Sequence, residues 1–398
     1  MPGVKSDVCI VGVGTSDEFG FDLGKSPLRL QSEAFYAALG DAGLNAADVD
    51  GFITAKGAPR GVDYEEFAIT LGLDLRWVSQ LWAHGRWAST TVLEAAGVIA
   101  AGLADVVAIA NTSVSARGYG KHLGALGSGA ILEGLRDVGG SHGENDIHGL
   151  DTPGAATALV ARRYMDRYGA TSDDLASIAI ALRTHASRNP IAVMRNKPLN
   201  KEAYYNEPLI VDPFRRADYC LSSEGATCLI LTSAERARDL SGSAVRLASG
   251  SGVRVSRDDY VLFSRPGLGV GISKEGAFRD DSCREVYGRA GIDASDVDAL
   301  YVYDSFTSNV WTTLERFGFT DEGEAWTYLA DSGMDLGSPL PINTNGGLHS
   351  EAHLLGYGHL IEMVRQVRGT ADERQVPDAE VVQWATPRGD SIILAGRP

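Results

Sequence analysis

The sequence predicts an α/β fold built twice: duplicated sheet units covered by helices, the first carrying a long insertion. Three observations predict it. Short β-branched runs alternate with helical-period segments over the first 111 residues, the pattern of a sheet covered by helices. The segment AGLNAADVDGFIT (42–54) recurs as AGIDASDVDALYV (290–302), with six of thirteen positions identical at an offset of 248. Between about 113 and 219, glycine-rich turns and prolines punctuate amphipathic helices, the texture of an insertion and not of a continuing sheet.

The elements follow in order. Ser6 to Val13 is rich in β-branched residues and ends in Gly-Val-Gly14, a buried first strand followed by a glycine turn. Leu28 to Ala42 places apolar residues at helical spacing and stops at Gly43. Val49 to Ala55 is the next strand, Trp87 to Ala101 a small apolar helix ending at Gly102, and Asp105 to Asn111 a buried strand. In the insertion, helices are expected over roughly Gly154–Tyr168 and Ser172–Arg188. Ala226 to Thr232 returns to strand character, with a short helix over Ala234–Asp239. Both copies of the repeat end a helix at glycine, cap a turn with Asp and enter a strand. Late in the second half, Pro341 to His359 reads as a strand end, the glycine pair Gly346-Gly347, then His353 and a helix over Leu360–Arg368 closed by Gly369. Paired glycines let backbone approach a ligand or another backbone closely. The expected division is 1–240 and 241–398, with the insertion at about 113–219.

Composition bounds the function. The 398 residues carry a formal charge of -16, which argues against nucleic acid or an anionic membrane as the main partner. No stretch of about 20 apolar residues is present, so no membrane span is expected. Met1 to Asp7 leads into a short apolar run and not a signal-peptide core. The four cysteines, Cys9, Cys220, Cys228 and Cys283, are scattered, with no metal spacing and no disulfide framework. A cytoplasmic protein without a metal site of its own is expected.

The motifs resemble the thiolase superfamily. Asn345-Gly-Gly, followed by His353-x-x-Gly356, resembles the thiolase run of Asn, two glycines and Gly-His-Pro. Val302-Tyr-Asp-Ser-Phe-Thr307 sits where thiolases carry Asn-Glu-Ala-Phe or His-Asp-x-Phe, and Ser223-Glu-Gly-Ala-Thr227 resembles their Ser-Asp-Gly-Ala. The resemblance covers essentially the whole chain. It implies a thiolase fold in α-β-α-β-α layers, a coenzyme A thioester as part of the substrate with no covalently bound cofactor, and a homodimer, with Val106 to Ile109 the candidate interface strand. The thiolase cysteines are missing: the nucleophile position falls near Gly85 and the second near Ala385, and no cysteine lies between Cys9 and Cys220. The acyl-enzyme route needs a thiolate and is therefore closed.

This combination resembles the cysteine-free, thiolase-like subunits of steroid side-chain-cleaving aldolases. Those relatives carry tyrosine at both ring positions, where this chain has Tyr303 and His353. The resemblance implies retro-aldol cleavage of a β-hydroxyacyl-CoA and a small OB-fold, zinc-ribbon partner in a heterotetramer. Tyr303 and His353 are the expected catalytic pair. In one assignment His353 donates to the thioester oxygen and Tyr303 lies near the β-hydroxyl; the reverse is also open. Asn345, Gly346, Gly347, Tyr260 and His84 are expected to bind substrate. Asp304 orients Tyr303 or caps the helix after it, and Arg183, Arg188, Arg195 and Lys197 either meet coenzyme A phosphates or form a solvated face. Trp311, Trp326 and Phe317 are core or cleft wall. The competing readings are an acyltransferase using Ser89 or Thr90, and a non-catalytic lipid-binding or scaffold subunit.

Overall fold

A computed structural model describes residues 8–55, 62–81, 88–114, 152–240, 244–253, 259–262, 270–273, 281 and 283–396, with backbone alone at 55, 259–262 and 270–273. Val8–Thr15 forms β1, whose side chains are nearly all buried on both faces of the sheet. The glycine turn expected after Val13 is absent, because the strand runs on to Thr15. A Cβ on Gly14 would lie 2.3 Å from the Ala34 carbonyl oxygen, so its bare backbone is what lets the first helix pack on the strand. That helix, α1 (Pro27–Ala42), starts at the Ser26 cap and ends at Gly43 in the left-handed region. Then come β2 (Gly51–Ala55), α2 (Tyr64–Leu71), β3 (Trp77–Leu81), α3 (Ala88–Ala100) and β4 (Val106–Ser113).

The described insertion contributes α4 (Pro153–Tyr168), α5 (Ser172–Ser187), α6 (Lys201–Asn206) and the two-stranded ribbon of β5 (Leu209–Val211) and β6 (Phe214–Arg215). None of these joins the main sheet. The chain re-enters the sheet as β7 (Gly225–Ser233), followed by α7 (Ala234–Ala237) and β8 (Val245–Ser251). A second ribbon, β9 (Asp259–Leu262) with β10 (Val270–Ser273), precedes α8 (Glu285–Ala290), β11 (Ala299–Val302), α9 (Asn309–Phe317) and α10 (Ala325–Ser332). The chain then forms α11 (Gly347–Ser350), α12 (Tyr357–Arg368), β12 (Val381–Ala385) and β13 (Ser391–Ala395).

The main strands run in the order β11-β12-β13-β8-β1-β7-β4-β2-β3. The β2–β3, β2–β4 and β11–β12 pairs are parallel and the others antiparallel, so the sheet is mixed. Its two halves meet at β1 and β8, through Cys9–Arg246 and Ile10–Val245. Alternation along the strands feeds three cores. Val8 and Ile10 of β1, Leu229 and Leu231 of β7, Tyr301 of β11 and Ile392 and Leu394 of β13 face one shared core that contains α3 and α12. Their neighbours Cys9, Val11, Cys228 and Ile230 face a second core under α1 and α2. Leu300, Val302 and Ile393 face a third under α4, α5, α9 and α10. The two halves of the one sheet thus lie between helix layers, as helix, half-sheet, helix, half-sheet, helix.

The repeat is structural. Gly43 and Gly291 both end a helix in the left-handed region, at φ 68° and 76°. Asn45 and Asp293 then open matching 3-10 turns, closed by Asp48 and Asp296. Asp50 accepts from the amides of Asp105 and Val106, where β4 begins, and Asp298 accepts from those of Glu380 and Val381, where β12 begins. The same aspartate in each copy thus fixes the start of the parallel neighbour of the strand it precedes.

Three expectations need correction. The strand end at 341–343 is a single bridge, Ile342 to Leu300. Residues 64–71 and 77–81 form a helix and a strand that no motif announced; Phe67 of α2 stacks on Phe52 at 4.8 Å and is fully buried. Val106 to Ile109 lies in β4 with β2 and β7 on its two sides, so it has no free edge to offer a partner. The edge beyond β2 is β3, where Val78 is exposed.

Candidate active site

The site forms where β11 ends. Tyr303 continues that strand, its amide donating to the Ala385 carbonyl at 3.0 Å at the end of β12. Its hydroxyl reaches His353 Nε2 at 3.2 Å. Both side chains are buried. The two ring residues expected from the sequence are therefore brought together, 50 residues apart in the chain.

The His353 loop is pinned from below. Its amide donates to Ser223 Oγ at 2.8 Å, and Asn111 Nδ2 donates to the Leu354 carbonyl at 3.1 Å. Leu355, two residues on, sits at φ 56°, a strained conformation for a bulky side chain and of the kind that collects at functional sites. Burial holds the His353 pKa down at about 4, with the nearby Asp304 charge opposing this. The ring is thus neutral at pH 7 and has a lone pair to accept with.

Behind this pair runs a buried chain of polar side chains. Asp304 accepts from the Leu348 amide with both oxygens, at 3.0 and 3.1 Å, and meets His359 Nε2 at 3.1 Å. The other His359 nitrogen, Nδ1, lies 3.3 Å from Asn345 Oδ1. Asn345 Nδ2 donates to Glu351 at 2.5 Å, and Asn189 Nδ2 donates to the other Glu351 oxygen at 2.9 Å. Burial, then the charge of Glu362, pushes Glu351 up to about 7. Burial also acts to raise Asp304, but the His359 bond, the charge of His349 and the Leu348 amide outweigh it and leave its pKa below the ordinary value.

The expected roles are revised accordingly. Asp304 does not cap α9, whose N-cap is Ser308; its carboxylate accepts the Leu348 amide and anchors α11. Gly346 and Gly347 allow close approach, but to the protein itself: a Cβ on Gly346 would lie 2.8 to 3.1 Å from Ala186 of α5, and one on Gly347 would lie 2.1 Å from Asp304 Oδ2. Asn345 is fully buried within the polar chain. Ser89 donates to Asp390 at 3.0 Å and is buried, so its hydroxyl is tied to the last loop. Arg183 donates to Ser350 Oγ at 3.0 Å and to the Lys197 carbonyl at 2.7 Å, joining α5 to α11. Lys197 lies over Phe21 and Arg188 lies 3.8 Å from Asp335, so the basic run is dispersed among local contacts. Trp311 and Phe317 are core, and Trp311 stacks on Tyr164 at 5.0 Å. Tyr260 belongs to β9, paired with Ile272, in a region described by its backbone. His84 lies outside the described residues. Among the described residues no group of three or more His, Cys, Asp or Glu is placed to hold a metal ion.

A family model described as thiolase C-terminal domain-like matches residues 276–386. The chain is 36% identical over 373 residues to a 17-hydroxy-3-oxo-4-pregnene-20-carboxyl-CoA lyase of Mycobacterium tuberculosis, covering 92% of this chain and 93% of that protein. It is 34% identical over 375 residues to a steroid side-chain-cleaving aldolase of Thermomonospora curvata, covering 93% and 92%. A solved structure described as an Ltp2-ChsH2(DUF35) aldolase superposes with a TM-score of 0.81 at 32% identity, over 98% of this chain and 97% of that one. The chain belongs to the thiolase superfamily, with these aldolases. It is a carbon–carbon lyase of that superfamily.

Sequence reasoning missed His359, Glu351 and Asn189 in this lyase. The signal for His359 was present, a histidine in the first turn of the helix that follows the glycine-rich stretch, but its partners lie 14 and 55 residues away. No helix among the described residues is long and apolar enough to cross a membrane.

Proposed function

We propose that the enzyme cleaves the Cα–Cβ bond of a β-hydroxyacyl-CoA, a steroid side-chain thioester, by a retro-aldol step without a covalent cysteine intermediate. The observation that carries this is the buried hydrogen bond between Tyr303 and His353 at the end of β11. The steroid substrate is supported by the names of the two relatives similar over more than nine-tenths of the chain.

A phenol at its reference pKa of about 10 is a poor base at pH 7. A neighbour that accepts its proton as the enolate charge develops lowers that obstacle; neutral His353 has the lone pair to do so, and the nearby Asp304 charge opposes the burial that weakens it as a base. In this reading the β-hydroxyl proton moves to the Tyr303 oxygen as the Tyr303 proton moves to His353 Nε2. The Cα–Cβ bond breaks, its electron pair passes to the thioester as an enolate, and the β-carbon becomes a ketone or aldehyde. The proton returns along the pair to Cα and releases the shorter acyl-CoA. Of the two orders left open by the sequence, this keeps Tyr303 at the β-hydroxyl and makes His353 its partner. Asn345, Gly346 and Gly347 then hold the loop and do not touch substrate.

The test is mass spectrometry of a β-hydroxyacyl-CoA panel. A carbonyl product with a shortened acyl-CoA is expected, and Tyr303→Phe and His353→Ala each reduce it by about 10²-fold or more. Full cleavage by both variants sinks the assignment. Consumption of free coenzyme A would point to thiolysis, and an inert wild type in every pairing to a scaffold.

For assembly, we propose a homodimer through the β3 edge and a small OB-fold, zinc-ribbon partner. The second is supported by the two-component aldolase that this chain resembles in structure. The panel is therefore run with and without such a protein. We place the enzyme in the cytoplasm, which suits four scattered cysteines whose spacing offers no disulfide framework.

A further inference from the structure

The donors and acceptors around Asn345 and His359 constrain each other. The Gly347 amide, which can only donate, meets Asn345 Oδ1 at 3.2 Å. That fixes the amide: Oδ1 faces Gly347 and Nδ2 faces Glu351. His359 Nδ1 approaches the same Oδ1 at 3.3 Å, and an amide oxygen only accepts, so Nδ1 carries a proton. On the other side of the ring, Nε2 meets Asp304 Oδ1, whose carboxylate already accepts the Leu348 amide with both oxygens. An ionised Asp304 therefore requires a proton on Nε2 as well. The ring, the carboxylate and the asparagine are all fully buried.

We infer that His359 is a buried imidazolium, held charged by Asp304 and Asn345, and that this ion pair is the positioning unit that sets His353 against Tyr303. Asp304 directly follows Tyr303, and Glu351, at the far end of the same chain, is two residues before His353. The series Asp304–His359–Asn345–Glu351 thus ties together the backbones that carry the two rings. A buried pair of opposite charges has its strongest electrostatic effect in this water-poor setting, and losing one partner leaves the other uncompensated. The competing arrangement, a proton on Asp304 and a neutral ring, leaves Nε2 bare.

The positioning role rests on the proposed catalytic pair; the charge state does not. Nitrogen NMR of the ring-labelled full-length protein at neutral pH, with the His359 signals assigned by their loss in His359→Gln, reads the charge directly. Two protonated ring nitrogens are expected. One unprotonated nitrogen overturns the inference whatever the activity. Kinetics then test the role: His359→Gln lowers kcat on the order of 10²-fold with KM little changed, as for a reacting group displaced by about 1 Å, and adds little further loss in a His353→Ala background. A fold-loss in that double variant equal to the product of the single losses overturns the positioning role. If His353→Ala alone is fully active, the catalytic assignment has failed while the NMR result stands by itself.

Discussion

Glu351 lies buried between Asn189 and Asn345, which both donate to its carboxyl. Its carboxyl is pushed up to about 7 by burial and by Glu362, so the fold prefers the protonated form. That contribution is fully present below the unfolded value and is lost as pH rises through about 7. The difference corresponds to on the order of 3 kcal/mol. His353, held down at about 4, acts with the opposite slope: its share is present above the unfolded histidine value and is lost as pH falls toward 4. Glu315, raised to about 7 mainly by burial, adds to the first slope. Comparing wild type with Glu351→Gln isolates one term. In denaturant titrations between pH 4.5 and 7.5, the wild type is expected to lose stability more steeply with rising pH than the variant. Parallel curves would mean that Glu351 carries no such shift.

At the scale of elements, the repeat-related aspartates make a paired prediction. Asp50 and Asp298 each accept two amides at the start of a neighbouring parallel strand. Amides bonded to a carboxylate are stronger than neutral pairs. Asp50→Ala and Asp298→Ala are each expected to cost about 1–3 kcal/mol in urea unfolding. Both variants matching wild type would show that the shared residue reflects turn chemistry alone. The repeat was legible because its work is local: helix stop, cap, turn and strand entry lie within thirteen residues. By contrast, α2 and β3 were not read. α2 spans only eight residues, and β3 is a five-residue strand that alternates between half-buried and exposed side chains.

At the scale of the molecule, the sheet decides which surface is free. β4 is internal, and of the two terminal strands β11 is bridged at Leu300 by Ile342, so a dimer formed by extending the sheet uses β3. Val78→Lys places a charge on that edge and is expected to shift the protein from dimer to monomer in sedimentation velocity. A wild type that sediments as a monomer at every concentration, without its partner, would end this proposal.

The sequence by itself determined the alternation of helix and strand, the repeat and the two rings Tyr303 and His353. Each of these is written in local periodicity, in caps and glycines, or in a motif a few residues long. The layers and the missing cysteines were implied by its resemblance to thiolases. Only the tertiary structure decided that the two rings share a hydrogen bond, that Gly346 and Gly347 serve Ala186 and Asp304, and that His359 closes a polar chain behind the site. Those facts depend on which side chains meet across 14, 50 or 55 residues of chain, and a donor's partner at that distance is set by packing and leaves no local pattern to read.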